Sequence, residues 1–131
     1  MTAKVESSQT IATLVDDMFF AAKIRGAAEQ CGREVKSLKS REQFQADIDL
    51  IRPALLIVDL NASRMDPLEA IRLVKANAET SSIPTVAFVS HVETELIANA
   101  HEAGCDLVLP RSAFSQLLPS LVAGDLDRLR S

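Results

Sequence analysis

Five apolar residues in a row, Ala54-Leu55-Leu56-Ile57-Val58, run from Pro53 straight into Asp59. A half-exposed strand alternates apolar with polar side chains, and this run does not. Strands buried on both faces read this way, and they belong to parallel sheets with helices packed above and below. The rest of the chain must then supply flanking strands and amphipathic helices to cover them.

It supplies both. Thr10-Ile11-Ala12-Thr13-Leu14-Val15 is a β-rich run stopped by Asp16-Asp17. Phe20, Ile24, Ala27, Ala28 and Cys31 recur at intervals of three and four, one apolar helical face, and Gly32 is placed to end that helix. Glu34-Val35-Lys36-Ser37-Leu38 alternates as a half-buried edge strand does. Ser40 can cap a second helix, with Phe44, Ile48 and Ile51 inward, ending before Pro53. Asp66-Pro67 opens a third, with a capping carboxylate and proline in the first position. Its Leu68, Ile71 and Val74 face inward and Lys75 is expected to reach outward. Ile83-Pro84-Thr85-Val86-Ala87-Phe88-Val89 is a fourth strand, with its proline at the start. Residues 91–103 read as a helix closed by Gly104, and Leu107-Val108-Leu109 as a fifth strand. Phe114, Leu117, Leu118, Leu121, Val122 and Leu126 mark a last helix, and Pro119 predicts that it starts late or has a distorted first turn. Five strands alternating with five helices predict a doubly wound α/β fold around one parallel sheet, with residues 1–131 as a single domain.

Composition narrows the function. With 47% apolar and 24% charged residues the chain has the make-up of a globular domain. A net charge of -4 argues against direct binding to nucleic-acid backbone, and aromatics at 4%, all Phe, offer no stacking platform for bases. No stretch approaches the ~20 apolar residues of a membrane span. Residues 1–10 are polar and lack the apolar core of a secretion signal. Cys31 and Cys105 form no CxxC pattern, which speaks against zinc; both are expected to be buried, and the setting to be cytoplasmic. None of the four glycines, Gly26, Gly32, Gly104 and Gly124, builds a phosphate-cradling loop after the first strand, and no Ser/His/Asp nucleophile set is present. A nucleotide-dependent enzyme is therefore disfavoured, and the chain is not expected to be an enzyme.

In sheets of this kind ligands sit at the carboxyl ends of the strands. The residues there are Asp16 and Asp17, then Asp59 with Asn61, then Ser90 and His91, then Pro110 and Arg111. Singly each has a plain role: Asp16 or Asp17 can cap the first helix, Ser90 the fourth, and Arg111 can pair with an acid. Together, three carboxylates in one crevice repel one another unless a cation shares the site. An oxygen-rich, loosely constrained site suits Mg²⁺, which keeps several waters and takes one or two carboxylates.

The arrangement resembles the receiver domain of two-component response regulators, a flavodoxin-like sandwich, over about residues 10–122. The likeness is carried by Leu14-Val15-Asp16-Asp17, Leu55-Leu56-Ile57-Val58-Asp59, Met65-Asp66 with Glu69, Val89-Ser90, Ala103-Gly104-Cys105-Asp106 and Leu109-Pro110-Arg111. The intervals from Asp17 to Asp59 (42 residues), on to Ser90 (31) and on to Arg111 (21) fit it as well. The resemblance implies that Asp59 is the phosphate acceptor. It implies that Asp16, Asp17, Asp59 and the carbonyl of Asn61 hold Mg²⁺, and that Ser90 turns in to the phosphoryl group. It also implies a histidine kinase or phosphotransfer protein as donor, which could dock beside the exposed Phe19, and a downstream protein target. Any output would come from this domain's own surface, as in a stand-alone receiver.

The departures lie on the signalling side. Arg111 stands where the family has lysine, Ser112 where a proline usually follows, and Val108 where a switch aromatic is usual. The loop after Asp59 reads Asn61-Ala62-Ser63-Arg64, and Pro67 replaces a common glycine. A guanidinium is a planar fork that suits a carboxylate as well as a phosphate. Arg111 is accordingly expected to pair with Asp59 in the resting state. The alternative reading is a pseudo-receiver, a protein-binding module that works without phosphorylation.

Overall fold

The computed structural model describes residues 9–90 and 93–125. Five strands, β1 (Ile11–Leu14), β2 (Val35–Ser37), β3 (Leu55–Asp59), β4 (Thr85–Val89) and β5 (Leu107–Pro110), alternate with five helices. The helices are α1 (Met18–Gln30), α2 (Arg41–Ile51), α3 (Pro67–Ala76), α4 (Thr94–Glu102) and α5 (Arg111–Ala123). The strands form one sheet in the order β2-β1-β3-β4-β5, and every pairing is parallel. This is the doubly wound α/β fold expected from the pattern.

The double-sided burial of β3 explains its composition. Leu56 and Val58 point into a core shared with Phe44 and Ile48 of α2, Ile71 and Val74 of α3 and Ala100 of α4. Leu55 and Ile57 point the other way, to Phe20 and Ile24 of α1 and Phe114, Leu118 and Leu121 of α5. The second core is organised by rings: Phe88 stacks on Phe114 at 4.5 Å and on Phe20 at 5.2 Å. Strand order reverses between β1 and β3, so their carboxyl ends, Asp16-Asp17 and Asp59, open on the crevice where such folds place their sites.

Local signals set the helix starts. Asp17 caps α1 by accepting from the amides of Phe19 and Phe20, Ser40 caps α2 through Gln43, and Asp66 caps α3 through Leu68 with Pro67 in the first turn. Gly104 closes the turn after α4 at φ 107°, a left-handed conformation that favours glycine.

Several expectations need correction. Lys75 does not reach outward: its side chain is 15% exposed, and its ammonium donates to the carbonyls of Ser81 and Ile83 and pairs with Asp106 at 2.9 Å. A long apolar stem can lie in the core edge when three acceptors meet its charged end. The last helix does not start late: α5 runs from Arg111 through Pro119 to Ala123. Pro119 is exposed, so the turn that lacks its N–H faces water rather than the core. Cys31 is exposed, and only Cys105 is buried. The Cys31 amide bonds back to Ala28, three residues earlier, and this tightened turn swings the thiol off the α1 apolar face. Two more, to Arg111 and Ser90, belong to the site. His91 and Leu126 lie outside the described residues.

Candidate functional site

The site is built at the carboxyl end of the sheet, from the ends of β1, β3, β4 and β5. Asp59 ends β3 and is 4% exposed. Its Oδ1 accepts from the amide of Asn61 at 2.9 Å. Burial holds the Asp59 carboxyl above its ordinary value; the Asn61 amide and the Arg111 charge oppose this, and the nearby Asp16 and Asp17 charges add to it. Asn61 in turn accepts at its side-chain oxygen from the Ser90 amide at 3.0 Å, which ties the β3 and β4 loops together.

Asp16 and Asp17 are adjacent in sequence but face different partners. Asp16 Oδ2 accepts from the Ser63 amide at 2.7 Å and from its hydroxyl at 3.0 Å, while Oδ1 accepts from Arg64 Nε at 3.0 Å. Burial works to raise the Asp16 carboxyl, but these Ser63 and Arg64 contacts outweigh it and the net shift is downward. Asp17 Oδ1 caps α1 through Phe19 and Phe20, and its Oδ2 pairs with Arg111 Nη2 at 3.2 Å.

Arg111 therefore pairs with Asp17 and not with Asp59, as was expected. Its guanidinium carbon lies 4.6 Å from the centre of the Phe20 ring, and Nη2 also donates to Ser90 Oγ at 3.3 Å. Phe20 follows the α1 cap, so a guanidinium seated on that ring comes to rest beside Asp17, while Asp59 stays deeper in the sheet. Ser90 does not cap the fourth helix; its hydroxyl serves Arg111, and α4 starts without a side-chain cap. Val108, at the position of the missing aromatic, packs against the α2–α4 core.

The fold thus draws the expected residues to one end of the sheet and links them: Asp17 to Arg111 to Ser90 to Asn61 to Asp59. Asp16 stands beside this chain, turned to the β3–α3 loop. Ser63 and Arg64, given no role by the sequence, prove to hold Asp16. Their only signal was the unusual loop after Asp59, whose direction depends on how that loop folds back over β1. Next to the chain lies an open cleft of ≈ 590 Å³ lined by residues that include Phe19, Lys23, Arg111, Ser112 and Ser115. Phe19 is 68% exposed at its rim.

Comparison with solved structures identifies the architecture. The phosphorylated cyanobacterial phytochrome response regulator RcpA superposes with a TM-score of 0.74 at 20% identity, covering 91% of each chain. The fold is that of a response-regulator receiver domain. The signal receiver domain of a signal transduction histidine kinase from Syntrophus aciditrophicus gives 0.76 at 20% identity, covering 92% of this chain and 91% of its own. The Mn(2+)-bound form of response regulator Rcp1 gives 0.71 at 19%, covering 88% and 89%. No family model and no curated protein matches the sequence. Among the described residues no helix of this receiver fold is long and apolar enough to cross a membrane.

The resemblance implies a divalent cation, and in this arrangement the acid pair is held by the protein's own donors. All four oxygens of the Asp16–Asp17 pair already accept from protein donors. Among the described residues no three Asp, Glu, His or Cys side chains are grouped to hold a metal ion.

Proposed function

We propose that this chain is a phosphate-accepting receiver of a two-component phosphorelay, taking a phosphoryl group on Asp59 and signalling by protein contact in the cytoplasm. The observation that carries the reading is the burial of Asp59 at the end of the central strand, within a linked set that includes a hydroxyl and a cation. A carboxylate oxygen of Asp59 forms the O–P bond as the N–P bond of a phosphohistidine breaks, and the donor's imidazole leaves with a proton from solvent. Arg111 and the Ser90 hydroxyl are the groups of this chain that can meet the charge on the phosphoryl oxygens. The donor is a histidine kinase or phosphotransfer protein, and the rim formed by Met18 and Phe19, both exposed next to the crevice, is where it would approach. The domain is an acceptor in this scheme and turns over no substrate of its own.

A second reading, a pseudo-receiver that binds partners without phosphorylation, is favoured by one observation: the acid pair is neutralised by Arg64 and Arg111. The two readings part on a single experiment. The full chain is incubated with a small phosphodonor, with and without Mg²⁺, and intact mass is recorded at neutral pH. The first reading requires a gain of one phosphoryl group that Asp59→Asn abolishes. No gain under either condition rejects it in favour of the second.

A further inference from the structure

Each member of the acid pair divides its two oxygens in the same way. One oxygen is held by backbone: Asp16 Oδ2 by the Ser63 amide, Asp17 Oδ1 by the amides of Phe19 and Phe20. The other is held by a guanidinium: Asp16 Oδ1 by Arg64 at 3.0 Å, Asp17 Oδ2 by Arg111 at 3.2 Å. The backbone-held oxygens are fixed by the β3–α3 loop and the α1 cap, so they cannot be released without undoing local structure. The guanidinium-held oxygens are the ones a side-chain movement can free.

We infer that Arg64 and Arg111 are built-in counter-ions of this pocket, standing in place of a divalent cation and setting the chain's affinity for Mg²⁺ by competing with it. The electrostatic reason is direct. Asp16 and Asp17 lie close enough to Asp59 for their charges to act on it, and three carboxylates at one strand end need positive charge nearby. A guanidinium can supply that charge from within the chain, with directed N–H bonds that a hydrated metal ion lacks. Mg²⁺ demands near-octahedral oxygen ligands and gives up water reluctantly, so to gain an oxygen from either acid it must compete with the arginine that holds it. Arg111 is held further by the Phe20 ring and by Ser90. The inference concerns the pocket of the proposed acceptor, but it does not depend on whether Asp59 takes a phosphoryl group.

Mg²⁺ titration of the full chain, followed by amide NMR shifts without any phosphodonor, tests it. Arg64→Gln and Arg111→Gln each remove one competitor. Arg52→Gln, ahead of the amino end of β3 and paired with Glu79, makes the same change in net charge at the far end of the sheet. Exposed ion pairs of this kind limit the effect to a modest factor. Arg64→Gln and Arg111→Gln should each lower the Mg²⁺ Kd by at least about threefold, and Arg52→Gln should change it less than that. The inference is overturned if either site variant falls short of this, if Arg52→Gln matches them, or if no protein responds to Mg²⁺. Should Arg111→Gln not keep a dispersed amide spectrum, Arg64→Gln, in an exposed loop, decides alone. Failure of phosphorylation with tightened Mg²⁺ binding would reject the acceptor reading and leave this one standing.

Discussion

Arg111 reaches Asp17 across the carboxyl end of the sheet, Nη2 to Oδ2 at 3.2 Å, with its guanidinium laid on the Phe20 ring. One side chain thereby joins three elements: the start of α5, the cap of α1 and the aromatic core beneath. Its Nε is buried without a hydrogen-bond partner, so this placement has a cost that the ring contact and the ion pair must offset.

Arg111→Lys removes that orphaned N–H but should still destabilise the fold slightly. An ammonium keeps the charge near Asp17 but loses the planar stacking on Phe20. A loss of about 0.5–1 kcal/mol in a urea melt is expected, because the ion pair is about a third exposed and solvent screens it. A variant as stable as the parent would show that the stacking contributes nothing.

Asp59→Asn should stabilise the protein at neutral pH. Burial raises the Asp59 carboxyl in the folded state, so the native chain binds its proton more tightly than the unfolded chain does. Stability tied to this group is then fully present below the unfolded value and falls as pH rises through the folded one. The amide removes that penalty and still offers an oxygen to the Asn61 amide. The gain should be about 0.5–2 kcal/mol at pH 7 and should vanish in acid, as thermal melts across pH would record. Equal melting temperatures at pH 7 would contradict it.

Lys75→Met should be the most damaging of these changes. It keeps the stem but strips the charge from Asp106, whose Oδ2 also accepts from the Thr85 amide at 2.8 Å. Breaking a largely buried pair by removing one partner costs about 3–5 kcal/mol, a range to be trimmed here because both groups keep some exposure. Chemical denaturation should show a loss of at least about 2 kcal/mol. Gly104→Ala strikes the same spot from the other side: its Cβ would sit 2.9 Å from Lys75 Cγ, at a φ that disfavours any side chain.

Pro119→Ala should stabilise α5. The new N–H can close a bond to the Ser115 carbonyl that proline leaves open, and the position is exposed, so no core packing is lost. A gain of about 1–3 kcal/mol follows from helix-interior propensities. A neutral or lower melting temperature would mean that the proline supports the helix by other means.

The fold was legible because its signals are local. The two-faced run into Asp59, the caps at Ser40 and Asp66, the apolar faces of α1 and α3 and the closing Gly104 each act over a few residues, and period and turn chemistry report them directly. The residents of the pocket were legible too, since parallel topology sends every strand end to the same side of the sheet. Their pairing was not. Arg111 and Asp17 are 94 residues apart, and Asp16 lies 47 from Ser63 and 48 from Arg64. At such separations any of three acids could take either arginine, and the composition of the pocket is the same in every case. The choice fell to packing: the Phe20 ring seats one guanidinium beside Asp17, the β3–α3 loop carries Arg64 to Asp16, and Asp59 is left deep, bonded to Asn61. The same holds for Lys75, whose burial depends on three acceptors that only the assembled sheet edge brings to its ammonium. Sequence alone determined which residues meet at the end of this sheet; tertiary packing, by placing the Phe20 ring and the β3–α3 loop, decided which charge neutralises which.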